Sequence, residues 1–324
     1  MQKELLAWYQ ENKRELAFRK NKDAYSIWIS EIMAQQTRIE AMLPYYSRFI
    51  EKYPDLISLS KADDEELHKV WQGLGYYSRC RNLKKCALVC VERYGGQLPK
   101  TKKELETLPG IGSYTAGAIA SIAYDENVSA IDGNVIRVFS RLYDVQEDVT
   151  KAKGKKTIAA LVDQSLPGSA WISAYNQALM ELGALLCIPL NPRCDKCPIQ
   201  KDCQAKDPSS LPIIPKKKER RIVHKTIYIY VYDHTVHVVK RKEKGLLYGL
   251  YGFDEVLPED YKEKIQLKPY SHVFSHVIWN MDAYVVYVLK GGSNFISLKE
   301  IEERIAIPSA FQPFLEEMIQ RGLV

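Results

Sequence analysis

The sequence predicts a multidomain protein: an all-α domain over residues 1–205 and a smaller α+β domain over 226–324, joined by a basic, proline-rich linker at 206–225. Three observations carry this. The chain has 324 residues, enough for two hydrophobic cores. Apolar residues recur at helical spacing through most of the first 205 positions, whereas alternating β-branched and aromatic residues follow the linker. The linker stretch AKDPSSLPIIPKKKER breaks both patterns with prolines and positive charge.

In AYSIWISEIMAQQTRIEAMLPYYSRFIEKY, Ile29, Ile32, Met33 and Ile39 recur at helical spacing. DDEELHKVWQGLG reads as a helix with an acidic first turn and a glycine stop, and SRCRNLKKCALVCVERYGG repeats that plan. KTKKELETL, the turn LPGIG and then YTAGAIASIAY predict two helices joined by a tight turn at about residues 105–123. GNVIRVFSRLYDV sets Val135, Val138, Phe139 and Leu142 on one face, with Arg137 and Arg141 off it. In the second domain TIYIYVYDHTVHVVKRK predicts a β-hairpin turning near Asp233–His234, and HVIWNMDAYVVYVLK a further strand. SLKEIEERIA and SAFQPFLEEMIQRG predict helices.

The net charge is +6, unevenly placed: residues 206–225 carry seven basic and two acidic side chains, while residues 226–324 carry eleven and thirteen. Taken alone, PKKKERR is a solvated linker; a mildly basic chain also suits a polyanionic partner. No run approaches the ~18 apolar residues of a membrane span. The start MQKELLAWYQENKREL has no apolar signal core, so an intracellular protein is expected, cytoplasmic and nucleoid-associated in a prokaryote.

Of seven cysteines, Cys80, Cys86 and Cys90 lie on a helical stretch and read as small core residues. Cys187, Cys194, Cys197 and Cys203 form C-x6-C-x2-C-x5-C, a spacing that argues for metal rather than disulfides and leaves zinc and an iron–sulfur cluster equally open. Gly110 and Gly112 in LPGIG let the backbone approach a partner where helix N–H groups are bare, the makings of a phosphate site, or else an ordinary turn. Glu31, in line with Gln35 and Arg38, would by itself be a surface residue. Asp132, before GNVIRV, has the sequence of a helix N-cap.

Together SEIMAQQT, GLGYYSRCRNL, LPGIGSYTAG, IDGNVIRV, YNQALMELGALLC and the four-cysteine loop, in this order and at these distances, resemble the helix-hairpin-helix DNA glycosylases of the endonuclease III superfamily. Within that superfamily the whole chain resembles the MutY-type adenine DNA glycosylases. The resemblance implies a monomer acting on double-stranded DNA with adenine opposite 8-oxoguanine or guanine, and a [4Fe–4S] cluster held by Cys187, Cys194, Cys197 and Cys203. It implies that Glu31 supplies a proton to the leaving adenine, that Asp132 stabilises or captures the sugar cation, and that Asn134 stands near the same centre. The proton-donating role requires burial that raises the Glu31 pKa, while Asp132 is expected to stay ionised at its helix start. Strand-cutting relatives carry a lysine where this chain has Tyr114, and a phenol cannot form an imine with the sugar. Base excision without strand cleavage is therefore expected.

Family members read R-x-L-P-W-R where this chain has RELAFR, so Arg14 and Leu16 match, and Phe18 keeps an aromatic wall for the base pocket. Gln177 matches a residue contacting the flipped adenine; Gln36, with Thr37 beside it, and Tyr76 match residues that engage the duplex around the oxidised base. The last domain resembles the NUDIX-like domain of these proteins and keeps an F-S-H loop as Phe274, Ser275 and His276. It has no G-x5-E-x7-R-E-x2-E-E-x-G run, which argues against pyrophosphate hydrolysis. Rival readings are a thymine-mismatch glycosylase, a lyase for oxidised pyrimidines and a non-catalytic iron–sulfur DNA-binding protein. The F-S-H domain argues against the first, Tyr114 against the second, and the two carboxylates against the third.

Overall fold

The computed structural model describes residues 1–216 and 218–324; Lys217, in the basic run of the linker, lies outside the described residues. The chain divides into two compact units, Met1–Lys61 with Asn82–Lys216, and Ala62–Arg81 with Lys217–Val324.

Up to the linker the elements are helices: α1 (Gln2–Asn12), α2 (Ala24–Ala34), α3 (Ile39–Lys52), α4 (Leu56–Ser60), α5 (Asp64–Trp71), α6 (Tyr77–Tyr94), α7 (Lys102–Leu105), α8 (Ser113–Tyr124), α9 (Gly133–Leu142), α10 (Ala152–Gln164) and α11 (Ser169–Leu185). In the first unit α2 packs on α8, and α11 packs on α1, α8 and α9. Helix α2 is apolar nearly all round, with Tyr25, Ile27, Trp28, Ile29, Ile32 and Met33 buried, as a central helix must be. Cys80, Cys86 and Cys90 are fully buried, as core residues. The helical pattern that runs on from residue 24 breaks at residues 35–38, where Gln36 takes the left-handed φ of 60°. That break turns Gln36 and Thr37 out of the helix. Gly183 lets α11 approach the start of α9, since a Cβ there would lie 2.5 Å from the Asn134 Cβ.

The second unit is built on a sheet of β1 (Arg221–Tyr232), β2 (Thr235–His237), β5 (Tyr261–Gln266), β6 (Tyr270–Val273), β7 (Val277–Val288) and β8 (Phe295–Ser297). A separate short pair, β3 (Val239–Lys240) and β4 (Tyr251–Gly252), and the helices α12 (Leu298–Arg304) and α13 (Gln312–Gln320) complete it. The strand order is β5-β7-β1-β2-β8, with β6 also on β7; β1 and β7 are parallel and the other pairs antiparallel. The β1–β2 hairpin turns at Asp233 and His234, both left-handed, as a two-residue turn between twisted strands requires. Strand β1 begins inside the stretch read as linker, because residues 221–231 pair along their length with 277–287. Ile227, Ile229 and Val231 of β1 and Val277, Trp279 and Met281 of β7 bury one face in a core with Phe311, Phe314 and Met318.

Helix α5 belongs to this second unit although it precedes the hairpin in sequence. Glu65 accepts from Lys240 Nζ at 2.5 Å and from the Tyr251 hydroxyl at 3.2 Å. Lys69 Nζ donates to the Ile301 and Ile305 carbonyls, and the Gln72 amide to the Ile307 carbonyl at 3.0 Å. Among the described residues no helix is long and apolar enough to cross a membrane.

Candidate active site

In the first unit three helix ends meet around a cavity of about 760 Å³. Glu31 projects from α2, Tyr114 from the first turn of α8, and Asp132 caps α9 by accepting from the Val135 N–H at 2.8 Å. Arg14, Phe18, Gln36, Thr37 and Asn134 also line this cavity, with Arg19, Met180 and Glu181. Phe18 is buried edge-on against Tyr46, ring centres 5.6 Å apart. Two residues expected here stand elsewhere. Leu16 is buried off the cavity wall, and the half-buried Gln177 turns its amide back to the Ser173 carbonyl at 3.2 Å.

Burial pushes the Glu31 carboxyl up to about 7; the Tyr114 hydroxyl, which donates to it, works against the rise, Asp132 adds to it and Arg19 opposes it. A carboxyl at that value is partly protonated at neutral pH, which an exposed glutamate is not. Tyr114 also lies within 3.4 Å of Met180 Sδ, and burial first, then Glu31 and Asp132, hold its phenol neutral. Asp132 is held above the usual carboxylate range by burial, against the bonds from Val135 and Asn134 and the charge of Arg137. Enclosure outweighs the N–H groups of the helix start, which pull the other way. One carboxyl here can give a proton, and the other is tethered beside it.

Sequence periodicity missed three groups that fix this geometry. The Glu181 carboxylate, with no exposed surface, accepts from Arg14 Nε at 2.6 Å and Arg19 Nη1 at 2.9 Å. Burial works against it, yet these arginines hold it below the usual range. Asn134 Nδ2 donates to Asp132 Oδ2 at 2.7 Å, and Arg137 donates to Asn134 Oδ1 at 2.9 Å and to the Cys187 carbonyl at 2.7 Å. Arg141, placed by periodicity off the apolar face, is only 1% exposed. It donates to the carbonyls of Cys187, Ile188, Pro189 and Leu211, which a buried guanidinium needs and a loop without regular structure supplies. No local pattern encodes such partners; an arginine at helical spacing before a cysteine loop was the only available signal.

Cys187, Cys194, Cys197 and Cys203 line one small cavity of about 50 Å³ below Arg141. Arg141 Nη1 lies 3.3 Å from Cys187 Sγ, and Cys203 Sγ lies 3.4 Å from the Arg141 carbonyl. Arg141, Arg193 and Gln200 share the lining, which among the described residues includes no carboxylate or histidine. Among the described residues no group of three or more His, Cys, Asp or Glu side chains is set to hold a metal ion. The four cysteines nonetheless share the lining of one cavity, as a set of thiolate ligands would.

The hairpin turn expected to meet phosphate lies between α7 and α8. Gly110 has φ 78°, and a Cβ there would fall 2.6 Å from the Asn82 Cβ, so glycine is required. Gly112 caps α8 without a side-chain bond, and its missing Cβ faces open space. In the second unit Tyr76, Phe274 and Ser275 line a cavity of about 310 Å³ with Arg81, Tyr248 and His272. Ser275 and His276 form the exposed turn between β6 and β7, Oγ to Nδ1 3.1 Å, closed by the Phe274 N–H on the Val277 carbonyl. Phe274 anchors that turn edge-on against Trp279, centres 4.8 Å apart.

The HhH-GPD superfamily base excision DNA repair protein family matches residues 29–164, a span that holds Glu31, Tyr114 and Asp132. The chain is 44% identical over 214 residues to an adenine DNA glycosylase of Rattus norvegicus, which covers 62% of this chain and 40% of the rat protein. It is 33% identical over 261 residues to the adenine DNA glycosylase of Buchnera aphidicola subsp. Baizongia pistaciae, covering 79% of this chain and 74% of that protein. A solved structure of a thermostable thymine-DNA glycosylase matches with TM-score 0.56 at 28% identity, covering 62% of this chain and 92% of that one. The chain thus spans about two fifths of the length of the mammalian relatives it matches. With the Buchnera protein matched over most of both lengths, the chain belongs to the adenine DNA glycosylase family of the HhH-GPD superfamily.

Proposed function

We propose that this protein is a monofunctional base-excision glycosylase that hydrolyses the N-glycosidic bond of adenine opposite 8-oxoguanine or guanine in double-stranded DNA, acting as a monomer. The observation that carries the reading is Glu31: a carboxyl raised to about 7, in one cavity with a second, tethered carboxylate. The target base must leave the stack before its sugar bond can be reached, and the cavity is large enough to receive it. Glu31 gives its proton to the departing adenine. Asp132, fixed by Val135 and Asn134, stabilises or captures the cation left on the sugar until water adds to C1′ and leaves the abasic site, the two-carboxylate division of glycoside hydrolysis. Tyr114 orients Glu31 and offers no amine, so the strand stays intact. Phe18 and Arg14 form walls for the base, and the α8 start, with Gly110 and Gly112, takes a DNA phosphate.

The four cysteines would hold a [4Fe–4S] cluster, which would supply a rigid, DNA-positioning loop rather than a reacting group; their sharing one cavity, with no carboxylate or histidine among its lining, supports this. The second unit, NUDIX-like in our reading, senses the opposite base through Ser275 and His276, and Gln36 and Tyr76 enter the duplex there. Single-turnover excision on duplexes carrying A opposite 8-oxoguanine, A opposite G and T opposite G tests the reading. Alkali-labile sites should form on the first two and not on the third. Activity confined to T opposite G would replace it with a thymine-mismatch enzyme. Protein purified without oxygen should hold about four irons per chain; stoichiometric zinc without iron would overturn the cluster.

A further inference from the structure

We propose that Glu181 is a positioning residue for the acid: it clamps Arg14 and Arg19 in the cavity wall and offsets the positive charge they present to Glu31. The inference rests on the reading of Glu31 as proton donor. Glu181 has no exposed side-chain surface and is engaged on both oxygens: Oε1 by Arg14 N at 3.2 Å and Nε at 2.6 Å, Oε2 by Arg14 Nη2 at 3.1 Å and Arg19 Nη1 at 2.9 Å. A buried carboxylate is costly unless it is paired and fully bonded. Here two guanidiniums share one buried carboxylate; Arg14 Nη1 also reaches the exposed Glu40 at 3.4 Å, whereas Arg19 is held by Glu181 at 2.9 Å, so it is the Arg19 charge that Glu181 chiefly offsets. Both arginines and Glu181 line the cavity that holds Glu31.

The charged and titratable groups that line the cavity with Glu31 come from every neighbouring element: Tyr114 from α8, Asp132 from the head of α9, Arg19 from the short turn Ala17–Arg19, Arg14 from the loop before it, Glu181 from α11, and Arg38 and Glu40 at the start of α3. Arg19 favours the ionised form of Glu31. Removing the Glu181 charge leaves that pull uncompensated, so ionised Glu31 is stabilised and the protonated, active form is lost at lower pH.

The test uses the full-length holoprotein and single-turnover excision of adenine opposite 8-oxoguanine between about pH 5.5 and 9, for wild type, Glu181→Gln, Arg19→Gln and the double variant. The alkaline midpoint should fall by roughly 0.5–1 pH unit in Glu181→Gln, rise in Arg19→Gln, and return close to wild type when both charges are removed. A merely structural Glu181 would lower the rate by one factor at every pH and leave the midpoint in place, which overturns the inference. So does a double variant whose midpoint stays where Glu181→Gln alone puts it. If Glu181→Gln fails to fold, an unmoved midpoint in Arg19→Gln refutes the charge coupling by itself. A wild-type protein that excises no adenine from any duplex refutes the proposed function instead.

Discussion

Replacing Glu31 by glutamine keeps the shape of the side chain and removes its proton, and the structure sets the size of two separate effects. At a pKa of about 7 the carboxyl is near half protonated at neutral pH, whereas a free glutamate is well under ~1% protonated there. Loss of the donor should slow single-turnover excision by at least ~10²-fold, the usual scale of general acid catalysis. The second effect is on folding. A carboxyl raised from its ordinary value to about 7 contributes stability that is fully present below the unfolded pKa and is lost as pH rises through 7. The shift corresponds to roughly 3 kcal/mol, trimmed to about 2–3 kcal/mol by the open cavity beside it. Glutamine has no such pH dependence. At pH 8 Glu31→Gln should therefore melt higher than wild type by about 4–6 °C, since a chain of this size gains ~2 °C per kcal/mol. Below about pH 4.5 the gap should close. Paired thermal melts at the two pH values and excision rates at pH 7 make the measurement. A stability gap that is the same at both pH values, or excision within a few-fold of wild type, would refute the account of Glu31.

Gly110→Ala should destabilise the first unit by about 2–3 kcal/mol, because a left-handed φ and a Cβ 2.6 Å from Asn82 act together, and should weaken duplex affinity; melting and titration at one salt concentration check both. Arg141→Met leaves the carbonyls of Cys187, Ile188, Pro189 and Leu211 without their donor, so a loss of at least about 3 kcal/mol is expected. Iron retained through purification should fall with it, and full occupancy in this variant would show that the loop closes without the clamp. Ser275→Ala with His276→Ala removes the exposed polar turn but not the Phe274 anchor. It should lower the preference for 8-oxoguanine over guanine by about 5- to 150-fold with little change in melting. An unchanged preference places the discrimination elsewhere.

Local chemistry was legible wherever a residue serves its own neighbours in sequence. Asp132 caps α9 because an aspartate before a helical run has the N–H groups of that run within reach, and Asp233–His234 turns a hairpin because alternation reverses there. Cys80, Cys86 and Cys90 are core because their helix has a single buried stripe. Partnerships between distant segments were not legible. Nothing in DDEELHKVWQ signals that Glu65, Lys69 and Gln72 bond to residues more than 170 positions later. Arg141 and Glu181 look like helix-surface charges until the loop and the arginines that enclose them are in place. Gln177 shows the converse: its motif matched, but its amide is satisfied one turn back on its own helix.

Gln36 and Tyr76 share a property with a practical consequence for anyone engineering this chain. Both carry a side chain on left-handed backbone, φ 60° and 49°, and both are exposed. Such a residue holds its side chain at a cost of about 1 kcal/mol that glycine would not incur. A library selected only for heat resistance would drift toward glycine at these two positions. The most robust clones would then lack both side chains assigned here to the duplex. Selection for excision on a mismatched duplex, carried out alongside the thermal screen, keeps the two properties from being traded against each other.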